Sequence, residues 1–374
     1  MVNMSHGRPW LERLFAEADV ALNGRRPWDI QVRDERFYPA VLHGGVLAFG
    51  ESYMAGWWDS DALDELAGHL AAHHVASRAR LKPANLLLGI QAVLGNLGAK
   101  RRAFKVGEQH YNLGNDLFER MLDQRMTYSC GYWREATTLD QAQEAKLDLV
   151  CRKLGLCAGQ RVLDLGCGWG SFAKFAAERY GANVVGVTVS REQVEWAREH
   201  CQGLPVEVRL QDYRDVEGSF DHVVSIGMFE HVGYKNYESF MKVAERCLTG
   251  DGLFLLHTLG RNTSASHTNP WIHKYIFPNG MLPSVAQIGR AAEGRFVMED
   301  WHNFGAYYYN TLVAWFRNFD LHWPEISAKY GPTFYRMWKY YLLSCAGALK
   351  AREAQLWQVA FSRHGVPGGY ETVR

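Results

Sequence analysis

The chain has 374 residues, a formal net charge of +1, 47% hydrophobic residues and 22% charged residues. This length suits one large domain or two ordinary ones, and the near-neutral charge argues against a general polyanion binder such as a nucleic-acid-binding protein. The seven cysteines form no CxxC pair and no Cys/His cluster at zinc spacing, so we expect reduced thiols and no metal site.

The N-terminal third combines apolar and basic segments. Its first residues, MVNMSHGRPWLERLF, are not typical of a secretory signal, and no apolar run reaches the roughly 18–20 residues that span a bilayer. Residues 66–107 contain no acid, and basic clusters flank the apolar segment 86–95. This pattern fits either a surface for anionic lipid headgroups or a buried helix with solvated basic ends. The seven cations are Arg78, Arg80, Lys82, Lys100, Arg101, Arg102 and Lys105.

The short segment YSCGYW, residues 128–133, places Cys130 among aromatic and polar residues. Two interpretations are open from these residues alone. The segment is either a strand in which the cysteine is small core filler, or the wall of a pocket.

Residues 160–260 alternate between β and α patterns. Apolar runs such as RVLDLG, NVVGVTVS and DHVVSIG predict strands, and single helices such as SFAKFAAERYG separate them. This order predicts parallel pairing with helices on both faces of the sheet. After residue 260 the pattern changes, and the segments 309–319 and 335–361 both read as amphipathic helices.

The first predicted strand runs into the glycine loop GCGWG, with Gly166, Gly168 and Gly170. Glycines let the backbone turn tightly and approach a ligand at the following helix N-terminus. The spacing is not the dinucleotide pattern GxGxxG, and no GKS or GKT follows. Because the loop joins a strand to a helix, a ligand site is favoured over a structural turn. The stretch from Asp164 resembles motif I of S-adenosylmethionine-dependent methyltransferases.

The second strand departs from that pattern. Many of these enzymes end it with an acid that binds the ribose hydroxyls, whereas Thr188 stands here and Gln193 is the candidate substitute. After the next strand, Asp212 is a candidate partner for the adenine amino group. Its structural alternative is a turn or helix cap.

Longer segments, in order along nearly the whole chain, resemble the bacterial cyclopropane-fatty-acyl-phospholipid synthases. The most specific are YSCGYW, FEHVG and YIFPNG, and the first hundred residues resemble the N-terminal domain of the phospholipid-acting members. The resemblance implies an α/β fold: a seven-stranded class I methyltransferase (Rossmann-like) domain over 106–374. A smaller, mainly helical domain that associates with lipid precedes it over 1–105.

The resemblance implies transfer of a methylene group from S-adenosylmethionine to the cis double bond of acyl chains in membrane phospholipids. A carbocation forms on the lipid, and a bound bicarbonate takes the proton that must leave before the ring closes. Aromatic faces stabilise such a cation without trapping it. The family further implies a cytoplasmic homodimer, bound peripherally to the inner face of the membrane.

Carried onto this sequence, the family pattern assigns a set that holds bicarbonate: Cys130, Glu230, His257, Leu259 and Tyr308. The family usually has isoleucine in place of Leu259, which is harmless if the contact is through the backbone. For the cofactor, the pattern places residues over it, under its methionine part, at its ribose, at its adenine and along the same cleft. These are, in that order, Tyr128 and Ser129; Gly166 and Gly168, which follow Asp164 of motif I; Thr188, Val189 and Gln193; Asp212 and Tyr213; and Ile226.

Several alternatives stay open at this point. Considered on its own, Cys130 is consistent with a small residue that fills the core, and His257 is consistent with a hydrogen-bonded core histidine. For Cys345 a packing role is favoured over a contact with the acyl channel. At the level of function, the rivals are a lipid C-methyltransferase that leaves methyl branches, a methyltransferase with a small-molecule or nucleic-acid acceptor, and a non-catalytic lipid-binding protein.

Overall fold

A computed structural model describes residues 4–78, 114–266 and 268–374. The apolar segment 86–95, the basic residues from Arg80 to Lys105 and the predicted domain boundary after residue 105 lie outside these ranges. The described residues fall into two compact units. The first contains 4–78, 268–278 and 308–354, and the second contains 114–265, 279–307 and 355–374.

The first unit is mainly helical. Its elements are α1 Met4–Ala16, β1 Gln31–Val32, α2 Phe37–Met54, β2 Trp58–Asp59, α3 Leu63–Ala72 and α4 Val75–Arg78, followed later in the chain by α10 Pro270–Tyr275 and α12 Tyr307–Lys350. Helix α12 is interrupted at Gly331, where φ is +76°. Its far end packs closely on α3, since a Cβ on Gly347 would lie 2.1 Å from the Asp64 carbonyl oxygen. None of the described helices is both long and apolar enough to cross a bilayer.

The second unit is built on one sheet of seven strands in the order β5-β4-β3-β6-β7-β9-β8. The strands are β3 Arg161–Leu165, β4 Asn183–Thr188, β5 Val206–Leu210, β6 Phe220–Ile226, β7 Leu248–Arg261, β8 Val297–Asn303 and β9 Ala354–Ser362. Helices α5 Asn115–Met121, α6 Leu139–Lys153, α7 Ser171–Tyr180, α8 Arg191–His200, α9 Tyr237–Cys247 and α11 Val285–Ala292 accompany it.

Strands β5, β4, β3, β6 and β7 are parallel neighbours, as their sequence predicts. Their Val- and Leu-rich runs are buried because separate apolar clusters pack on the sheet, one containing Phe240 of α9 and another containing Phe172 of α7. The predicted α/β class is confirmed. Parallel strands carry their carboxyl ends to one edge, where open α/β sheets bind ligands.

The prediction of one helix over 335–361 is wrong at its C-terminal end. Helix α12 stops at Lys350, Arg352 adopts a φ of +63°, and β9 follows as an almost fully buried strand. Strand β9 pairs antiparallel with β8. A short apolar run that is buried on both faces shows no regular alternation of apolar and polar residues, so its sequence does not distinguish a strand from a buried helix.

Candidate active site

The predicted cofactor residues gather at the carboxyl ends of the parallel strands. Asp164 lies near the end of β3, Thr188 ends β4 and Ile226 ends β6. His257 of β7 is the register partner of Ile226. The sheet therefore brings the predicted cofactor and catalytic residues to the same edge.

The glycine loop needs its glycines for two different reasons. Gly166 and Gly168 have φ values of +88° and +55°. A Cβ on Gly166 would lie 2.5 Å from the Met228 side chain, so this position is closely packed. A Cβ on Gly168 would meet no described atom within 4 Å. The loop therefore presents open space beside Gly168, which fits backbone contact with the methionine end of a cofactor.

An aromatic group connects Tyr128 to this loop. Phe118 of α5 packs against the Tyr128 ring at 5.3 Å and against the Trp169 ring at 4.8 Å between centroids. The Trp169 indole N–H donates to Asn115 at 3.0 Å. These contacts hold the predicted residue Tyr128 beside the glycine loop, and Phe118 is a supporting residue that motif reasoning missed.

The predicted ribose residues form a local network. The Thr188 hydroxyl donates to the Gln193 side-chain carbonyl at 2.7 Å, and both residues are buried. The Ser190 hydroxyl accepts from the Gln193 backbone N–H at the start of α8. Val189 lies between the strand and this cap. The structure thus joins Thr188 to Gln193, the residue expected to replace the missing acid.

The predicted adenine residues have structural roles of their own. The Asp212 carboxylate accepts from the backbone and guanidinium of Arg214 at 2.8–3.1 Å, and so caps the short 3-10 helix Tyr213–Asp215. The Tyr213 ring packs against Phe240 in the core, and its buried hydroxyl has no partner among the described residues. Adenine binding by Asp212 and Tyr213 stays a prediction.

The segment 128–133 is irregular rather than a strand, and α6 holds it. Gln143 donates to the Ser129 carbonyl at 2.7 Å, and Lys146 donates to the Ser129 hydroxyl at 2.7 Å. The Tyr132 backbone N–H donates to the Ala142 carbonyl at 2.8 Å. Cys130 is fully buried, with its thiol donating to the Gly131 carbonyl at 3.2 Å.

Glu230 is a buried carboxylate with one oxygen fixed. Its Oε1 accepts from the Leu259 backbone N–H at 2.7 Å, whereas Oε2 has no partner among the described residues. Burial raises the pKa of Glu230 to about 7, although hydrogen bonds from Leu259 and Thr258 oppose the shift. The contact between Leu259 and Glu230 uses the backbone N–H, so it does not depend on the side chain at position 259. A contact of Leu259 with bicarbonate stays a prediction.

His257 lies two residues before Leu259 on β7 and is 1% exposed. Burial holds its pKa well below the ordinary value, and the charges of Lys146 and Lys153 add to this effect, so the imidazole is neutral. The Gln358 amide nitrogen faces Nδ1 at 3.3 Å, and with the amide in this orientation the ring proton lies on Nε2. This Nε2–H has no acceptor among the described residues.

The segment 227–230 connects the cofactor loop to the catalytic residues. The Gly227 N–H donates to the His257 carbonyl at 2.9 Å, and a Cβ on Gly227 would lie 3.8 Å from that of Ser129. The next residue, Met228, packs on Gly166, and Glu230 follows. The segment 227–230 therefore adjoins Ser129, Gly166 and His257, and the assignment of the predicted residues to one site stays a prediction.

Aromatic rings surround part of this site. Tyr132 lies edge-on to Phe304 at 5.3 Å and to Tyr307 at 5.6 Å, and Phe304 lies 5.8 Å from the His257 ring. None of the three aromatic residues was among the predicted site residues. The only signal was their position in YSCGYW and NFGAYYY, two segments that carry the family resemblance.

Two candidates belong to the first unit. Tyr308 lies in the first turn of α12, where its buried ring packs edge-on against Trp315 at 5.9 Å. Cys345 lies further along α12 and is partly buried. The participation of Tyr308 in the catalytic set stays a prediction.

Comparison with known proteins gives a consistent result. A family model described as mycolic acid cyclopropane synthetase matches residues 98–359. The chain is 50% identical, over 369 residues, to the cyclopropane-fatty-acyl-phospholipid synthase of Escherichia coli strain K12, covering 96% of this chain and 94% of that one. It is 33% identical to the tuberculostearic acid methyltransferase UfaA1 of Mycobacterium tuberculosis, covering 86% of this chain and 80% of that one.

Solved structures agree with the sequence matches. The cyclopropane synthase MmaA2 of Mycobacterium tuberculosis has a TM-score of 0.66 at 31% identity, covering 69% of this chain and 97% of that chain. The mycolic acid cyclopropane synthase CmaA1, complexed with SAH and CTAB, has a TM-score of 0.65 at 33% identity with the same coverage. The predicted resemblance is confirmed, and the chain belongs to the mycolic acid cyclopropane synthetase family.

Proposed function

We propose that this chain transfers a methylene group from S-adenosylmethionine to the cis double bond of unsaturated acyl chains in membrane phospholipids. The resemblance to the Escherichia coli synthase extends over nearly the full length of both chains. It includes the N-terminal region, which the family model, starting at residue 98, does not match. The products are cyclopropane fatty acids, and bicarbonate serves as the base.

One observation carries the chemical part of the proposal. At one edge of the sheet, two buried polar side chains each present an atom without a described partner: the Glu230 acceptor Oε2 and the His257 donor Nε2–H. Buried polar atoms ordinarily have hydrogen-bond partners, because a buried donor or acceptor without a partner costs about 1–3 kcal/mol of stability. A buried donor and a buried acceptor at the same edge of the sheet fit bicarbonate, which has a proton to donate and oxygens that accept.

S-adenosylmethionine supplies an electrophilic methyl group, and bicarbonate supplies the base. The residues of this chain position both. The backbone at Gly166 and Gly168 approaches the methionine end, and the buried Glu230 orients the base by accepting its proton. The neutral His257 donates to it. The family resemblance further assigns the Tyr308 hydroxyl and the Cys130 thiol as donors, and the thiol proton would have to turn from the Gly131 carbonyl to the base. A side-chain carboxylate aimed at the lipid cation would risk adding to it, which an exchangeable oxyanion avoids.

The aromatic group of Tyr132, Phe304 and Tyr307 supports the cationic step. The three rings lie 5.3–6.2 Å from one another, and Phe304 lies 5.8 Å from the His257 ring. Their faces attract a cation electrostatically but offer it no lone pair strong enough to form a stable bond. The rings therefore suit a carbocation on the acyl chain that has to survive until its proton is removed.

Product analysis tests this function. Vesicles of unsaturated phospholipid, incubated with the protein and S-adenosylmethionine, are expected to yield fatty acids heavier by one CH₂ with the double bond replaced by a cyclopropane ring, as seen by NMR. A branched product that keeps a double bond would indicate the related lipid C-methyltransferase activity instead. Binding of lipid without any product would indicate a non-catalytic lipid-binding protein.

The proposal includes a cytoplasmic location and peripheral binding to the inner face of the membrane. Charge reversal at Arg101 and Arg102 is expected to weaken flotation with anionic vesicles, and added salt should weaken it further, because each cation near the surface contributes roughly 1 kcal/mol. Charge reversal at the exposed Arg179 and Arg191 changes the net charge equally and serves as the control. Equal flotation of both double variants would contradict the assignment.

The proposal also includes a homodimer, which the family resemblance supports. Light scattering is expected to give twice the 42.6 kDa mass of the chain. A mass of one chain at every protein concentration would exclude the homodimer.

A further inference from the structure

Lys146 of α6 is a fully buried lysine that no sequence motif includes. Its side chain is 0% exposed, and its ammonium donates to the Ser129 hydroxyl at 2.7 Å. Lysine is almost never fully buried unless it is paired. Four titratable groups of the second unit face it: Asp123 and Cys130 before α6, Asp164 on β3 and His257 on β7. A cation thus lies where the cofactor and catalytic residues meet.

The bond from Lys146 fixes what the Ser129 hydroxyl can do. A hydroxyl has one proton, and because its oxygen accepts from Lys146, that proton remains available to another acceptor. A charged donor also polarises the hydroxyl and strengthens the bond that it donates. Gln143, one turn earlier on α6, holds the Ser129 carbonyl at 2.7 Å. Helix α6 therefore fixes both the position and the donor role of Ser129.

The charges around Lys146 explain why a cation is needed. Asp123 accepts from the backbone N–H groups of Arg125 and Thr127 and from the Thr127 hydroxyl, so it stabilises the turn that leads into the segment 128–133. Asp164 is buried, and its Oδ1 has no partner among the described residues. Burial raises the pKa of Asp123 to about 6 and that of Asp164 to about 7, and the charge of Lys146 opposes both shifts. The ammonium thus offsets the negative charge that these carboxyl groups carry near a ligand carboxylate.

We infer that Lys146 is a positioning residue for the cofactor, because it holds the Ser129 hydroxyl as a donor to the carboxylate at the methionine end and supplies the positive charge beside it. The inference rests on the proposed use of S-adenosylmethionine by this chain. Burial lowers the pKa of Lys146 to about 8. The ammonium charge is therefore present below that pH and is lost above it, so the contribution to binding has to disappear as the pH rises.

The test is calorimetric binding of S-adenosylhomocysteine to Lys146→Met and to the wild type from pH 6.5 to 9.5. At pH 7 the variant is expected to bind at least about tenfold more weakly, the effect of losing a charge-assisted hydrogen bond. The dissociation constant of the variant divided by that of the wild type should fall toward one above pH 8. Titration of the ligand's own amino group cancels in this ratio. A merely structural role predicts a ratio that does not change with pH.

Two further variants separate the possible outcomes. Ser129→Ala should weaken binding similarly, and the double variant should be no weaker than either single one, since both remove the same contact. Lys153→Met removes the other fully buried lysine of α6, which pairs with Asp300 at 3.3 Å, and should bind normally.

Each remaining result has a definite meaning. Wild-type affinity in Lys146→Met, a constant ratio or additive effects would overturn the inference. If Lys146→Met does not fold, normal binding of S-adenosylhomocysteine by Ser129→Ala at pH 7 would by itself overturn the inference. Absence of binding by the wild type would instead refute the proposed use of the cofactor.

Discussion

Replacing Glu230 with glutamine is expected to reduce turnover by about 10²-fold or more, the usual range for a group engaged in proton transfer. Glutamine keeps the size of the side chain, and its carbonyl can still accept from the Leu259 N–H at the present 2.7 Å. Its amide NH₂ donates where Oε2 now accepts, so it repels the proton of bicarbonate. Affinity for S-adenosylhomocysteine should stay unchanged, because the methyl donor is held elsewhere.

The pH dependence gives this prediction a second readout. Burial raises the pKa of Glu230 to about 7, so the accepting carboxylate form is present above that pH and is lost below it. At constant bicarbonate concentration, wild-type activity should rise through pH 7, and the rise should be absent in Glu230→Gln. Glu238→Gln, at an exposed position of the same unit, is the control and should behave as the wild type. A fully active Glu230→Gln, or one inactive only through lost cofactor affinity, would contradict the assigned role.

Gly168→Val is expected to abolish cofactor binding. The φ of +55° at this position is strained for any side chain by roughly 1–2 kcal/mol, and more for a β-branched one. The new side chain would clash with no described atom, but it would fill the open space that backbone contact with the cofactor requires. Calorimetry should detect no binding of S-adenosylmethionine to a variant that remains folded, and Gly168→Ala should bind with reduced affinity.

Gly159→Val is the matched control for backbone strain. Gly159 has a φ of +81°, a Cβ there would also meet no described atom within 4 Å, and it lies in the turn before β3 rather than after it. Both valine variants should lose similar thermal stability, whereas only Gly168→Val should lose the cofactor. Normal affinity in folded Gly168→Val would show that the glycine loop is wrongly placed.

Much of the fold was predictable because the parallel strands are short apolar runs separated by single helices. The strands that contain Asp164, Thr188 and Ile226 all lie where the sequence predicts them. Strand β9 was mistaken for the end of a helix, since its burial comes from its place in the sheet beside β8 and not from a local pattern. Tertiary context decides such segments.

Motifs in the sequence singled out candidate site residues, but not the residues, distant in sequence, that support them. Motifs singled out Thr188, Gln193, Glu230 and Leu259, and the structure joins the first pair and the second pair by hydrogen bonds. Their roles in binding stay predictions. Lys146 and Gln358 were missed because neither belongs to a motif that the sequence singles out, although they hold Ser129 and His257. Only the folded chain brings such residues within hydrogen-bonding distance.

The central claim is that a bicarbonate held between Glu230 and His257 takes the proton that allows the ring to close. The most direct measurement is the initial rate of cyclopropane formation on unsaturated phospholipid vesicles in carbonate-depleted buffer, before and after bicarbonate is added. We expect turnover to fall on depletion and to recover on addition, while binding of S-adenosylhomocysteine stays constant. Full turnover without carbonate, with the ring still formed, would contradict the claim and leave Cys130 as buried filler.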